Sequence, residues 1–307
     1  PAGAVRIEEL INYFDYGYPD PPDGSPFSVV SEVGQAPWAA DHRLVHLGIQ
    51  GRRMAQSALP PKNLVFLLDV SGSMSDENKL PLVRRAMQQL VDGMRPEDSV
   101  AIVVYAGASG LVLPPTTGTQ KQVIRDALDR LQAGGSTNGG QGLQLAYATA
   151  RKNLRAGAIN RVILATDGDF NVGTTSQSDL VQLIEHERDA GVFLTVLGFG
   201  MGNYKDSTLE KLADHGNGNY AYVDNFAEAR KVLVEDVTGT LLTIAKDVKI
   251  QVEFNPKLVA AYRLIGYENR ALADRDFNDD KKDAGDIGAG HSVTALYEII
   301  PAGVPVP

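Results

Sequence analysis

The sequence predicts an α/β fold in which a doubly wound, mostly parallel sheet is inserted into a smaller antiparallel β unit built from both ends of the chain. Three observations predict it. From about residue 62 to 245, short apolar β-branched runs alternate with longer stretches of helical period, the pattern of strands joined by crossover helices. The central runs are continuously apolar instead of alternating, as strands covered on both faces are. The flanks on either side lose the helical period and read as strands alone.

The expected strands of the central region are 64–68, 100–105, 162–165, 192–197 and 220–223, with a weaker run at 111–113 as a short edge strand. Between them Leu80, Val83, Met87, Leu90 and Met94 recur at helical spacing, as do Ile124, Leu128 and Leu131, then Leu180, Leu183 and Ile184; these stripes read as core. A last helix is expected over 226–244, with Ala229, Leu233, Val237, Leu241 and Ile244 on one face and Asn225 or Asp224 as its cap. It leads directly into the C-terminal flank.

The flanking strands are expected at 27–33 and 44–49 before the domain and at 248–254, 259–265 and 293–300 after it, together forming an antiparallel sandwich. Termini of a doubly wound domain often lie close together, so such a domain can interrupt a β unit without breaking it. The chain opens on a short amphipathic pattern, Val5, Ile7, Leu10, Ile11 and Phe14, which ends in the Pro-rich stretch 19–26. The expected divisions are 1–61, 62–245 and 246–307.

Composition narrows the function. A chain of 307 residues, 43% hydrophobic, holds one large core plus a smaller one. Its 29 basic and 38 acidic side chains give a net charge of −9, which argues against nucleic acid as a partner, because phosphate contacts need clustered Lys and Arg. There is no cysteine, so disulfides, zinc–thiolate sites and cysteine nucleophiles are excluded. No apolar stretch reaches the roughly 18 residues that span a bilayer. The chain begins at Pro1 and reads as a processed or trimmed product whose targeting signal lies outside it.

The chemistry collects at one edge. The first central strand ends at Asp69; Ser71 and Ser73 follow at alternate positions, with Gly72 permitting a tight turn. This sets three oxygen side chains at the carboxyl end of a central strand, where open α/β sheets bind ligands. Two further loops reach the same edge: Gly134-Gly135-Ser136-Thr137-Asn138-Gly139-Gly140 and Thr166-Asp167-Gly168-Asp169. One supplies a hydroxyl and the other a carboxylate. Such an oxygen set suits Mg²⁺, or Ca²⁺ if the cage is looser.

Asp-x-Ser-x-Ser, a later Thr in a Gly-rich loop and a Thr-Asp-Gly after a further strand together resemble the metal-ion-dependent adhesion site of von Willebrand factor A domains, whose fold is the Rossmann-like sheet expected above. The resemblance covers about three fifths of the chain. It implies that Ser71, Ser73 and Thr137 bind the ion through hydroxyls, that Asp69 and Asp167 lie around it largely through water, and that a position stays open for a carboxylate of a protein partner, an Asp or Glu. It implies Mg²⁺, with Ca²⁺ or Mn²⁺ as alternatives. Two carboxylates roughly balance a divalent ion and neutral hydroxyls donate little charge, so the ion stays electrophilic toward an external anion. The opening 5–14, the loop 166–173 and the tail 294–299 are similar to a bacterial subgroup of the family with an N-terminal flank and a C-terminal domain of unknown function. In that subgroup the C-terminal domain is longer, so the chain reads as truncated within it. Members of the subgroup resemble exported proteins or lipoproteins, which implies an extracytoplasmic location in a bacterium.

The leading expectation is a cation-dependent adhesion or assembly module, not an enzyme. One alternative is a Mg²⁺-dependent phosphohydrolase of haloacid dehalogenase type, with Asp69 as nucleophile and Asp167 and Asp169 on the metal. That chemistry needs a second acid two residues after the nucleophile; Ser71 stands there, and no Lys is clearly positioned from the sequence. Another is a metal-free scaffold. A plain turn, with Asp69 capping the next helix, is the bland reading of the motif.

Weaker signals remain. Asp169 is either a second carboxylate of the site or a turn residue. The run 274–280 begins like a calcium loop, but its sixth position is Asp279 instead of Gly and its twelfth is Gly285 instead of Glu, so a solvated acidic hairpin is expected. Gly198-Phe199-Gly200-Met201-Gly202 follows the wrong strand for a nucleotide loop and lacks a P-loop Lys; it reads as a mobile loop near the metal edge. His42 and His46 fall on one face of a strand and are not expected to be ligands. Arg52 and Arg53 read as solvated, and Trp38 as either core or interface.

Overall fold

The computed structural model describes residues 7–106, 109–135, 139–168, 170, 176–200, 206–236, 243–267 and 285–306. In chain order the elements are α1 (Ile7–Asn12), β1 (Phe27–Ala36), β2 (Ala39–Gly51), β3 (Lys62–Asp69), α2 (Leu80–Asp92), β4 (Ser99–Tyr105), β5 (Ser109–Thr117), α3 (Lys121–Asp129), α4 (Gly139–Lys152), β6 (Ile159–Thr166), α5 (Gln177–Asp189), β7 (Phe193–Phe199), α6 (Asp206–His215), β8 (Tyr220–Val223), α7 (Phe226–Arg230), β9 (Thr243–Val248), β10 (Val259–Ile265), β11 (Gly285–Gly288) and β12 (Ser292–Pro301). They divide into two compact units, Ala58–Thr238 and the two flanks Pro1–Ser57 and Gly239–Pro307.

The first unit holds a six-stranded sheet in the order β5-β4-β3-β6-β7-β8. Every pairing is parallel except the β4–β5 hairpin at the edge. Every residue of β3 and of β6 is buried, which explains why their runs 64–68 and 162–165 are continuously apolar instead of alternating. On one face Val65, Leu67, Ala101 and Val103 pack with Leu143, Ala146 and Ala150 of α4 and with Leu180 and Ile184 of α5. Helices α3 and α7 each pack against α2, and α2 buries Val83, Met87 and Leu90 as its spacing predicts.

The second unit holds a four-stranded antiparallel sheet, β1-β2-β12-β10, and a two-stranded one, β11-β9. The N-terminal hairpin and the C-terminal tail are thus one sheet: Ile49 pairs with Val293 and Val45 with Tyr297. The small sheet meets the end of β2 at Gly51, where an added Cβ would stand 2.7 Å from the Gly288 carbonyl oxygen. Among the described residues no helix is long and apolar enough to cross a membrane.

Three expectations change. The last helix does not reach 244: α7 ends at Arg230, a wider helical turn continues over Lys231–Asp236, and Thr243–Val248 is a strand in place of the helix end at 243–244 and of the strand expected at 248–254. Its predicted cap holds, because Asn225 Oδ1 accepts the Glu228 amide at 2.9 Å. Strand β11 has a Gly-Asp-Ile-Gly sequence with no apolar signal to announce it. The opening helix also docks by its polar side. Asn12 Oδ1 accepts the Thr294 amide at 2.7 Å and Glu8 Oε2 accepts the Tyr267 amide at 3.0 Å, while Ile7, Leu10 and Phe14 are exposed. Side-chain bonds to backbone amides, and not burial of the apolar stripe, tie the helix down there. The acidic run 274–280 lies outside the described residues, as do Thr137 and Asp169.

Candidate metal centre

Parallel register sets three side chains in a row at the carboxyl ends of the central strands. Asp69 pairs with Tyr105 of β4, and one step beyond the Leu68–Ala165 pair it meets Thr166 of β6. Strand β3 has β4 on one side and β6 on the other, so the chain reverses its direction of winding here, and this switch point is where open sheets leave a crevice.

Asp69 is fully buried. Its Oδ1 accepts the Ser71 amide at 2.9 Å, the local turn that an Asp makes with the backbone two residues on. Its Oδ2 accepts the Thr166 hydroxyl at 3.3 Å. Burial pushes the Asp69 carboxyl above the usual carboxylate range; the Ser71 bonds oppose that rise and the neighbouring charge of Asp167 adds to it. Asp69 therefore does not cap the following helix α2, whose N-cap is Lys79.

Ser71 Oγ lies 3.1 Å from Ser73 Oγ. The turn that carries them is tied to the Gly-rich loop by the Gly72 amide on Gly135 O at 3.1 Å and the Gly134 amide on Val70 O at 2.7 Å. Asp167, directly after β6, is 8% exposed, and the Gly168 amide behind it donates to Thr166 Oγ1 at 3.2 Å. Asp69, Ser71, Ser73 and Asp167 are thus gathered at the same strand ends. Thr137, which the resemblance adds to them, lies outside the described residues.

Two residues here were not singled out from the sequence. Lys79 Nζ lies 3.1 Å from Asp167 Oδ2 and donates to the Ser73 carbonyl at 2.8 Å. A cation at the start of a helix opposes the helix dipole, so a Lys at the position where Ser or Asp is usual was the signal that could have found it. Tyr105 is buried beside Asp69 and Thr166. Desolvation, then the charge of Asp69, drives its proton affinity well above the ordinary phenol.

The donors present are hard oxygens, two hydroxyls and two carboxylates, which fit a Mg²⁺- or Ca²⁺-type ion. The upward push of Asp167 on Asp69 is a repulsion that a divalent ion would relieve. Among the described residues no three His, Cys, Asp or Glu side chains cluster as a metal site. The histidines are engaged elsewhere: His42 Nδ1 is 2.6 Å from Glu298 Oε1, and His46 Nε2 is 2.7 Å from Tyr18 Oη. Trp38 is 55% exposed and hydrogen-bonds the same Glu298 oxygen at 2.6 Å. Arg53 is paired with Asp20 at 2.9 Å on the surface, while Arg52 binds the Ser25 carbonyl at 2.5 Å instead of being merely solvated. Gly200 of the glycine run lies against the Lys79 stem, where an added Cβ would stand 2.6 Å from Cε.

Comparison with known proteins reaches the same family. The model of the von Willebrand factor type A domain matches residues 63–235, a model described as von Willebrand factor matches 1–46, and one for the C-terminal region of the uncharacterized protein YfbK matches 239–306. Uncharacterized protein YfbK of Escherichia coli (strain K12) is 45% identical over 306 residues, covering 97% of this chain and 53% of that protein. Inter-alpha-trypsin inhibitor heavy chain H3 of Homo sapiens is 26% identical over 268 residues, covering 80% of this chain and 29% of that protein. The chain therefore spans about half the length, or less, of these two relatives. Among solved structures, a von Willebrand factor type A protein from Catenulispora acidiphila matches 93% of this chain and 66% of its own at 20% identity, with a TM-score of 0.54, a likeness of fold.

Proposed function

We propose, because this chain belongs to the von Willebrand factor type A domain family, that it is a divalent-cation-dependent protein-binding module whose ion accepts an Asp or Glu carboxylate from its partner. The family often mediates protein interactions. The observation that carries the reading is the meeting of Asp69, Ser71, Ser73 and Asp167 at the switch point of the sheet. Mg²⁺ is the expected ion, with Mn²⁺ or Ca²⁺ as substitutes.

When bound, the ion supplies a Lewis-acidic site for an external carboxylate. The chain's own residues set that property. Ser71 and Ser73, with Thr137 by resemblance, offer neutral oxygens; Asp69 and Asp167 offer charge. Asp69 is held from both sides by the Ser71 amide and the Thr166 hydroxyl, so its orientation is set before any ion arrives.

The discriminating experiment is calorimetric titration with Mg²⁺ and Mn²⁺, together with capture of partners from extracts of the source organism in Mg²⁺ and in chelator. Wild type should bind the ions and capture a partner only in Mg²⁺, and Asp69→Ala should do neither. Capture that survives chelator or the Asp69→Ala change sinks the mechanism and leaves a metal-free scaffold. The position of Lys79 removes one objection to a phosphohydrolase, but Ser71 still stands where a proton donor for the leaving group is needed; turnover of a generic phosphate ester that is lost in Asp69→Asn would revive that reading. The proposal extends to location outside the cytoplasm, on the likeness of the flanks to exported members of the subgroup, and fractionation of the source organism checks it.

A further inference from the structure

We propose that Lys79 is an internal counter-ion which holds the Asp167 carboxylate in the absence of a divalent ion and yields it on loading, so that the chain sets its own metal affinity below what its oxygen donors alone would give. The proposal rests on the metal-site reading above and adds a regulator to it.

The placement of Lys79 is not explained by its own helix. It occupies the N-cap of α2, and its side chain makes no capping bond. A positive charge at that end is unfavourable. Its ammonium turns instead toward the crevice, 2.8 Å from the Ser73 carbonyl and 3.1 Å from Asp167 Oδ2, with Asp76 Oδ2 farther off at 3.8 Å. It thus touches two of the four described residues of the candidate site. Its stem lies against Gly200, whose φ of +87° and lack of a Cβ leave room for it.

The pair is largely shielded from water, with side-chain exposures of 17% for Lys79 and 6% for Asp167. A charge that buried requires compensation, and solvent and salt screen the pair less than a surface ion pair. Asp69, also buried, adds a second negative charge beside it. Lys79 therefore meets part of the electrostatic demand that a divalent ion would otherwise meet. Two cations competing for one carboxylate repel each other, and the flexible four-carbon stem of a lysine is the part able to withdraw. An ammonium is also a point charge without directional demands, so it can leave one carboxylate oxygen without disturbing the rest of the site.

Lys79→Met preserves the length and packing of the stem and deletes the charge; Lys79→Arg preserves the charge. Each would be titrated with Mg²⁺ and with Mn²⁺ by calorimetry, alongside thermal unfolding in chelator and in saturating metal, with circular dichroism confirming the fold. The expected result is affinity about tenfold or more tighter in Lys79→Met and within about threefold of wild type in Lys79→Arg. In chelator Lys79→Met should melt below wild type, and saturating metal should close the gap. Equal or weaker affinity in Lys79→Met, with wild type binding normally, overturns the proposal while leaving the metal site intact. Binding by neither protein overturns the metal site itself and this proposal with it. Binding by Lys79→Met alone supports the proposal in its strongest form.

Discussion

The Thr166 hydroxyl donates to Oδ2 of Asp69 at 3.3 Å, joining the last residues of two adjacent parallel strands. Thr166 Oγ1 in turn accepts the Gly168 amide at 3.2 Å. One buried hydroxyl therefore fixes both a carboxylate and the loop that carries Asp167. Thr166→Val keeps the shape and removes both bonds, leaving a buried amide and a carboxylate oxygen short of partners. Urea unfolding should show a loss of roughly 1–3 kcal/mol, and calorimetry a weaker Mg²⁺ site. A variant as stable as wild type would show that water replaces the hydroxyl.

Asp69→Asn should separate charge from hydrogen bonding. The amide oxygen still accepts from Ser71 and the amide nitrogen reaches the Thr166 oxygen, while a buried charge disappears. In chelator its stability should lie within about 1 kcal/mol of wild type, or above it. In Mg²⁺ at a hundred times the dissociation constant, wild type should gain about 2.7 kcal/mol and the variant nothing. Equal gains in both would detach Asp69 from the ion.

Gly142 lets helix α4 close on the strands beneath the site, since an added Cβ would stand 2.8 Å from Tyr105 Cβ and 3.2 Å from Leu67 Cδ1. Tyr105 Cβ is fixed to the backbone and cannot withdraw without shifting β4. Gly142→Ala should cost about 1–3 kcal/mol despite the better helix propensity of Ala. A rise in melting temperature would mean the helix slides freely.

Glu298 of β12 accepts from His42, Trp38 and Arg263, each at 2.6 Å. The His42 bond first, then the Trp38 bond and, against some desolvation, Arg263 bring its carboxyl down to about 2 from an ordinary 4.5. The folded form thus binds this proton less readily than the unfolded form. Its stabilisation is complete above about pH 4.5 and is lost as pH falls toward 2. The stability difference between wild type and Glu298→Gln, followed by chemical denaturation, should be constant near neutrality and shrink across that window. A constant difference down to pH 2 would contradict the assignment.

Much of this arrangement is legible in the order of the residues. Strand β8 falls at 220–223 and β10 at 259–265, where short runs rich in apolar residues between turns predict strands. Asp69, Ser71, Ser73 and Asp167 were readable as one group because the ends of parallel strands share an edge. What the sequence hid depends on contacts far along the chain. The end of the last helix is not legible because Leu241 and Ile244 continue a helical stripe in the sequence, whereas Thr243–Val248 pairs with the Gly-rich strand 285–288, and such a partner carries no periodicity of its own. The role of Lys79 is not legible in the sequence, because long charged side chains usually face water and only the fold brings Asp167 within its reach.

The pairing of residues 43–50 with 292–299 has a consequence for synthesis. The ribosome releases the first hairpin long before its central partner exists. An isolated two-stranded hairpin is marginal in water, so β2 waits with one edge open while the inserted unit, whose strands are nearer in sequence, completes itself. Closure of the flank sheet is then a late, long-range step of the kind that slows folding. Ribosomes stalled before residue 292 should carry a folded insert and an open N-terminal edge, the interval in which a chaperone has something to hold.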